Sequence, residues 1–371
     1  MSGAWTRLDA YIVRETLGPL SFGIGAFTSL FVSGDLLSLA NLVVQIGAPV
    51  LPALKVFLLK LPQIVVWTLP MSVLLATLLA LSRLSANSEL VAMRAGGVSL
   101  FRIARPIFTL SLGVSLLGLV IGETVVPVTN LRSRVVMIEE VRGGQLPTLT
   151  HHVVIKGERG TDLDWFLYAN SYDSRTSTFS QATLVYMQGN APVQTAYAER
   201  IAWRDGTWVM EEGVAYHFGA DGSVVVARYP AHMRPVDLGG QGPDEIARLQ
   251  KDPEEMSLAE LQRHIEILRA QGADVRSLEV KKHLKYSIPL ASFFFALIGV
   301  PLGIQSHRSA ASIGFGLSII IIFAYYILMT LGSALGQGGV LPPLVAAWVQ
   351  NLLVGGYGAW LLAHKARFGG A

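Results

Sequence analysis

Apolar residues gather along the chain into six runs, each at least as long as the ~20 residues a helix needs to cross a bilayer. They extend from about Leu17 to Val44, Leu51 to Leu84, Val98 to Val128, His283 to Ile304, Ala310 to Leu335 and Leu341 to Ala363. Several exceed the minimum, which licenses tilt or protrusion without fixing an angle. The runs come as three and three, separated by a long stretch of different character.

That stretch, about Asn130 to Gly242, alternates apolar and polar residues with the period of two expected of strands. "VVIKGERGTDLDWFLYANSYD", "ATLVYMQ" and "RIAWRDGTWVMEEGVAYHF" carry the pattern, and Asp205-Gly206 and Asp221-Gly222 are hairpin signals. Repeated short strands with turn residues between them favour a sandwich or jelly roll over an α/β arrangement. A linker rich in Gly, Pro and charge, "DLGGQGPDEIARLQKDPEE", follows. Next, Ser257 and Glu260 form an S-x-x-E capping box, Leu258, Leu261, Ile265 and Leu268 make one apolar stripe, and Gly272 is placed as a stop. The predicted fold is an α-helical membrane protein with six transmembrane helices and an inserted all-β, jelly-roll-like domain. Its segments are 1–129, 130–255 and 256–371.

Composition sharpens this reading. Of 371 residues 51% are hydrophobic and 15% charged, well below the roughly 25% charged of soluble domains. A net charge of +3 is too small and scattered for a nucleic-acid footprint. With no cysteine, disulfides and thiolate zinc sites are excluded. The long first run, without a small-residue cleavage pattern, argues against a removable signal peptide. Arg7, Arg14, Arg83, Arg94, Arg102, Arg105, Arg308, Lys365 and Arg367 all fall on one side of the six runs, whereas the loops near Gln45 to Val50 and Gly336 to Val340 carry no charge. By the positive-inside rule both termini are expected in the cytoplasm and the β insert outside.

Catalytic signatures are absent. No G-x-x-x-x-G-K-[ST] loop, H-E-x-x-H or G-x-S-x-G element occurs, so no catalytic residue and no metal ligand is assigned. The adjacent His151 and His152 have the wrong spacing for two ligands on one helical face and are read as surface strand residues. Any energy source must come from a partner or an ion gradient.

One polar stretch interrupts the apolar half, "SANSELVAMRAGGVSLFRIARP", residues 85–106. Asn87 can act as N-cap, Glu89 lies in the first turn where the helix dipole favours a carboxylate, and Gly96-Gly97 supplies a stop. Leu90, Met93 and Ala95 give this short helix an apolar surface. It either lies along the interface or enters a partner's groove, unless the stretch is an ordinary polar loop obeying the charge rule.

"RLSANSELVAMRAGGVSLFRI" resembles the cytoplasmic loop of the permease subunits of lipopolysaccharide-export ABC transporters, the YjgP/YjgQ family, where this segment is the coupling helix. "KHLKYSIPLASFFFALIGVPLG" resembles the family's fourth span, "PPLVAAWVQN" the start of its last, and "RETLGP" and "RDGTWVMEEGVAYHF" match in kind. The likeness covers nearly the whole chain in the order three spans, periplasmic jelly roll, three spans. It implies a bacterial inner-membrane permease that pairs with a paralogous permease subunit and binds a dimeric cytoplasmic ABC ATPase. Lipopolysaccharide or a related glycolipid would leave the membrane through the pair and pass to a periplasmic bridge of similar jelly rolls. No cofactor is implied in this chain; ATP and Mg belong to the partner ATPase. Glu89 would face a basic residue in the ATPase groove, with Leu90 and Met93 packing, Arg94 at the rim, and Gly96 and Gly97 permitting the turn into the third span.

A phosphorylated glycolipid calls for cations near the outer leaflet. Candidates are Lys55 and Lys60 in the second span, Arg132 and Arg134 beyond the third, and Lys281, Lys282 and Lys285 at the entrance to the fourth. Lys60, Gln63 and Trp67 share a helical face, as do Lys281 and Lys285. Charges in spans usually face protein or a water-filled cavity, although each lysine is equally explained by snorkelling to headgroups. The resemblance favours Lys60, Arg132 and Arg134. One departure is Asp35, in a first span where family members often carry lysines. Two other classes compete: an ion-driven secondary transporter, against which stand spans nearly free of carboxylates beyond Asp35 and Glu123, and a membrane-anchored receptor or scaffold with a ligand-binding β domain.

Overall fold

The computed structural model describes residues 7–47, 49–141, 149–159, 162–173, 176–188, 191–218, 223–229, 234–236, 238, 242–243, 252–270, 274–304 and 311–368. Two compact units emerge, Met1–Ser133 with Pro253–Ala371, and Arg134–Asp252. The segments on either side of the β insert therefore pack as one helical unit. It contains α1 (Arg7–Ile46), α2 (Val50–Ala86), α3 (Glu89–Ala95), α4 (Leu100–Thr124), α6 (Leu258–Ala270), α7 (Arg276–Gly303), α8 (Ala311–Gln337) and α9 (Pro343–Phe368); α5 (Val126–Val136) leads out of it into a π-helical turn, Met137–Val141. Among the described residues six helices are long and apolar enough to cross a membrane: α1, α2, α4, α7, α8 and α9.

Helix α2 has 37 residues, about 55 Å at 1.5 Å per residue. It is apolar on all sides because neighbours surround it: 83% of its most apolar stretch is buried, against 17% in α1 and 22% in α8. Helix α7 is the other central element. Gly299 and Gly303, one turn apart on α7, lie against α2 so closely that a Cβ on Gly303 would stand 2.8 Å from Leu81 Cβ. Small residues four apart let helix backbones approach where burial of apolar surface from water no longer drives association.

A buried polar cluster ties α7, α8 and α9 together. Ser287 Oγ donates to the Ala347 carbonyl at 2.5 Å, Gln350 Nε2 donates to Ser287 Oγ at 3.0 Å, and Asn351 Nδ2 to the Ser287 carbonyl at 2.8 Å. The Tyr325 hydroxyl from α8 donates to Asn351 Oδ1 at 3.0 Å. Each of these side chains is buried. The "VQN" of the final span is thus a set of interhelical hydrogen bonds in an apolar setting.

At α6 the local signals act as expected. Ser257 N–H donates to Glu260 Oε2 at 2.9 Å and Glu260 N–H to Ser257 Oγ at 3.2 Å, a reciprocal capping box. Leu261, Ile265 and Leu268 are buried. Gly272 lies outside the described residues, as do Arg308 and the Asp221-Gly222 hairpin.

The second unit is an antiparallel sheet in sequence order. Strands β1 (Leu149–Arg159), β2 (Asp162–Asp173), β3 (Thr178–Gln188), β4 (Ala191–Arg204), β5 (Thr207–Phe218) and β6 (Val224–Tyr229) each pair with the next, and β7 (Arg234–Val236) pairs with β5. Asp205 (φ 48°) and Gly206 (φ 80°) make a two-residue hairpin turn with both φ values positive, as the sequence predicts. Matched pairing skips one transverse row: Asn170 opposite Gln181, Gln181 opposite Glu199, and Glu199 opposite Glu212. Gln181 and Glu212 there have φ of 50° and 53°. Across this row the inward face changes parity, from Leu167 and Ala169 to Tyr172 in β2, and from Phe179 to Ala182 and Leu184 in β3. The strands turn a corner and the sheet curls. The rings of Tyr172 in β2 and Trp208 in β5 are 6.3 Å apart, whereas strands three steps apart in a flat sheet stand about 14 Å apart. One sheet rolled on itself thus encloses an aromatic-rich core, the jelly-roll-like domain expected.

Candidate functional site

Helix α3 is set between α2 and α4 by its ends. Its N-cap is Ser88, in a left-handed conformation (φ 59°) and without a side-chain cap hydrogen bond. Asn87, the expected cap, lies one residue too early; its Nδ2 instead donates to Glu89 Oε1 at 3.1 Å. The C-terminus closes as a Schellman motif, with Gly97 (φ 83°) N–H on the Arg94 carbonyl at 2.9 Å and Val98 N–H on the Met93 carbonyl at 3.0 Å. Gly96 and Gly97 therefore stop the helix and return the chain to α4, where Ser99 Oγ caps the Arg102 N–H at 3.3 Å.

Leu90 is not part of an outward docking face. It is 3% exposed, packed with Leu84, Leu100 and Ile103 of the chain's own α2 and α4, with Met93 partly buried against the same cluster. A seven-residue helix has one inward edge, and Leu90 occupies it. The large apolar residue that faces outward is Val91, with Ala92, Arg94 and Ala95 also exposed.

Three polar contacts from the first turns of α1 reach this region. Asp9, buried, forms a bidentate pair with Arg102 of α4, at 2.5 and 2.7 Å. The Tyr11 hydroxyl donates to Glu89 Oε2 at 2.6 Å. Glu15 pairs with Arg83 of α2 at 3.2 Å. Tyr11 and Glu15, four residues apart, share a face of α1. The hydrogen bond from Tyr11, then that from Asn87, holds the Glu89 carboxyl below the ordinary carboxylate range. Sequence reading misses Asp9 and Tyr11 because the apolar run begins at Leu17, whereas α1 begins at Arg7; the isolated carboxylate in "RLDAYIV" was the available signal.

Toward the other end of these helices the helical unit contains a cavity of about 440 Å³. Its wall is largely apolar, including Phe31, Val66, Trp67, Leu284 and Met329, and its charged groups are Glu123, Glu254, Lys281 and Lys285. Local hydrogen bonds organise this polar edge. Glu123 accepts the Leu258 N–H at 2.8 Å, anchoring the start of α6. Lys285 Nζ donates to the Met256 carbonyl. Gln63 Nε2 donates to Glu254 Oε2 at 3.2 Å, and Asn130 Nδ2 to Gln63 Oε1 at 2.9 Å.

Of the basic candidates, the cavity brings together Lys281 and Lys285. Lys282 turns aside to Gln262 Oε1 at 3.0 Å. Lys55, Lys60 and Arg132 are exposed on α2 and α5 and do not line it. Lys60 lies one helical turn before Gln63, so the shared face begins outside the cavity and enters it at Gln63 and Trp67. Arg134 falls in the β unit and is 3.9 Å from Asp252. Asp35 is half-buried on α1. Among the described residues no cluster of three or more His, Asp or Glu side chains is placed to hold a metal.

Six membrane-length helices, a rolled β sheet inserted after the third and an amphiphilic cavity among the helices define a multi-pass membrane protein with an inserted β domain. The chain belongs to the lipopolysaccharide export system permease LptF/LptG family, whose sequence profile matches residues 10–364. The lipopolysaccharide export system permease protein LptG of Haemophilus influenzae is 23% identical over 313 residues, 83% of this chain and 84% of that protein. The LptG protein of Escherichia coli K12 is 24% identical over 327 residues, 83% of this chain and 84% of that protein. Membership and the six apolar helices make this a multi-pass inner-membrane protein and a transporter subunit.

Proposed function

We propose that this chain is the membrane-spanning subunit of an ATP-driven exporter that extracts lipopolysaccharide, or a related glycolipid, from the inner membrane. The observation that carries the reading is the cavity among α1, α2, α4, α7 and α8, whose apolar wall suits acyl chains and whose edge bears Lys281 and Lys285. An amphiphile with phosphates needs both. Lys60 and Arg132, exposed on neighbouring turns, extend the basic surface for headgroup phosphates.

In this reading both termini and α3 are cytoplasmic and the β domain is periplasmic. The chain pairs with a paralogous permease, and the two together bind a dimeric ABC ATPase that holds ATP and Mg. Glu89 meets a basic residue of that ATPase, and Val91, Met93 and Arg94 contribute to the contact. ATP-driven closure displaces α3, the spans narrow the cavity, and the glycolipid moves to the β domain and then to a periplasmic jelly-roll bridge. The rolled sheet supports the last step in kind, as the element that a bridge of similar rolls would adjoin.

The test is reconstitution of the chain, its paralogue and the ATPase in proteoliposomes containing lipopolysaccharide. ATP-dependent transfer to a soluble jelly-roll acceptor is expected. Transfer without ATP, or none with all components assembled, refutes the reading.

A further inference from the structure

The coupling helix is flanked in sequence by α2 and α4, yet its key carboxylate is held by α1. Tyr11 and Glu89 are 78 positions apart, and the 2.6 Å hydroxyl–carboxylate contact is short, as expected when the acceptor is charged. Asn87 occupies the other carboxylate oxygen at 3.1 Å. A carboxylate has about four lone-pair sites, so Glu89 retains acceptor capacity for a partner's cation while bound to Tyr11. The contact is therefore compatible with docking.

Around Tyr11 the foot of α1 is fastened on both sides of α3, to α4 through Asp9–Arg102 and to α2 through Glu15–Arg83. Pro19 follows within the same helix. Lacking an N–H, it cannot donate to the Glu15 carbonyl, so the hydrogen-bond ladder is interrupted directly above the fastened foot. Beyond that point α1 is held along one side, by Gly23 close against Ser72 and a Thr28–Thr68 hydroxyl contact of 3.1 Å on α2, and its other side is largely exposed. A polar foot, an interrupted turn and a span seated along one side are the parts of a lever.

We propose that Tyr11 is a positioning residue of the transport cycle: its hydrogen bond to Glu89 delivers the movement of α3 to the foot of α1, and Pro19 lets that foot redirect the first span, which contributes Phe31 to the cavity wall. This rests on the export reading and adds a route for the coupling motion, through the first span as well as the two that adjoin α3.

The test uses Tyr11→Phe in the complete complex, which removes only the hydroxyl and leaves Asn87 on Glu89. Because the chain has no cysteine, it can be labelled before assembly with a spin-label pair at exposed Ser29 on α1 and Thr330 on α8. The expected result is an ATPase that still co-purifies and hydrolyses ATP, glycolipid delivered per ATP reduced about fivefold or more, and loss of the nucleotide-dependent change in label distance. A wild-type delivery ratio, a wild-type distance change, or loss of ATPase attachment in Tyr11→Phe overturns the proposal. Failure of the unsubstituted complex to retain an ATPase or to move glycolipid would instead refute the export reading, so the two failures are distinguishable.

Discussion

Asp9 and Arg102, 93 positions apart, form a bidentate ion pair in which the carboxylate is almost fully buried. The pair clamps the start of the first span to the start of the third, and the polar stretch that interrupts the apolar sequence lies between α2 and α4. Removing the carboxylate takes away the bidentate partner of a largely buried guanidinium, which costs stability. Asp9→Ala is expected to lower the thermal unfolding midpoint of the purified chain by roughly 5 °C, whereas Arg14→Ala, on an exposed position of the same helix, leaves it in place. Scanning fluorimetry in detergent compares the two.

Asn351 serves α7 and α8 at once, donating to the Ser287 carbonyl and accepting from Tyr325. Asn351→Ala should destabilise the helical unit by about 2 kcal/mol, since it orphans two buried groups. Tyr325→Phe, which removes one donor and leaves the ring against Phe295, should cost about half of that. Unfolding in mixed micelles measures both.

Two glycines on α9 respond oppositely to the same methyl group. A Cβ on Gly358 would stand 2.6 Å from the Ile298 backbone nitrogen, whereas one on Gly356 meets nothing within 4 Å. Gly358→Ala is expected to cost about 1–3 kcal/mol by forcing α7 and α9 apart. Gly356→Ala is expected to gain a few tenths or more, up to about 1 kcal/mol, through helix propensity. Expression level and unfolding midpoint, compared side by side, decide it.

The Glu89 carboxyl is held below its ordinary range, first by Tyr11 and then by Asn87. A group whose pKa falls on folding contributes stability above its unfolded value and loses it as pH drops through the folded one. ATPase attachment through the Glu89 carboxylate should therefore be flat from neutral pH down to the ordinary carboxylate range of about 4. It should weaken only below that. Tyr11→Phe removes the largest cause and should move the weakening to higher pH. Carbon-13 detection of the Glu89 carboxyl against pH reads the shift directly.

Much of the fold is legible in the sequence because it is set by rules local to a few residues. Apolar runs of bilayer length locate the spans, the Ser257–Glu260 box forms as written, and Asp205-Gly206 turns where two positive φ values are needed. What escapes is decided by distant partners. The polar foot of α1 reads as a flank until Arg83, Glu89 and Arg102 arrive to pair with it. Leu90 and Val91 are equivalent in a seven-residue helix until the surrounding spans choose which one to bury. The parity change between Ala169 and Tyr172 is invisible to an alternation rule, because the row at Asn170, Gln181, Glu199 and Glu212 bends four strands together. Among the basic residues, sequence spacing places Lys281 and Lys285 on one face and the cavity holds both, but charge alone did not separate them from Lys282, which Gln262 draws away.

The glycolipid cavity and its control through α3 meet in one measurement. A photo-crosslinking residue in place of Leu284, on the cavity wall, should capture lipopolysaccharide in the assembled complex and lose it on ATP addition. With Glu89→Ala the capture should remain and cease to respond to ATP, because the ATPase no longer engages α3. Absence of lipopolysaccharide at this position, or the same ATP response in Glu89→Ala, would contradict the account.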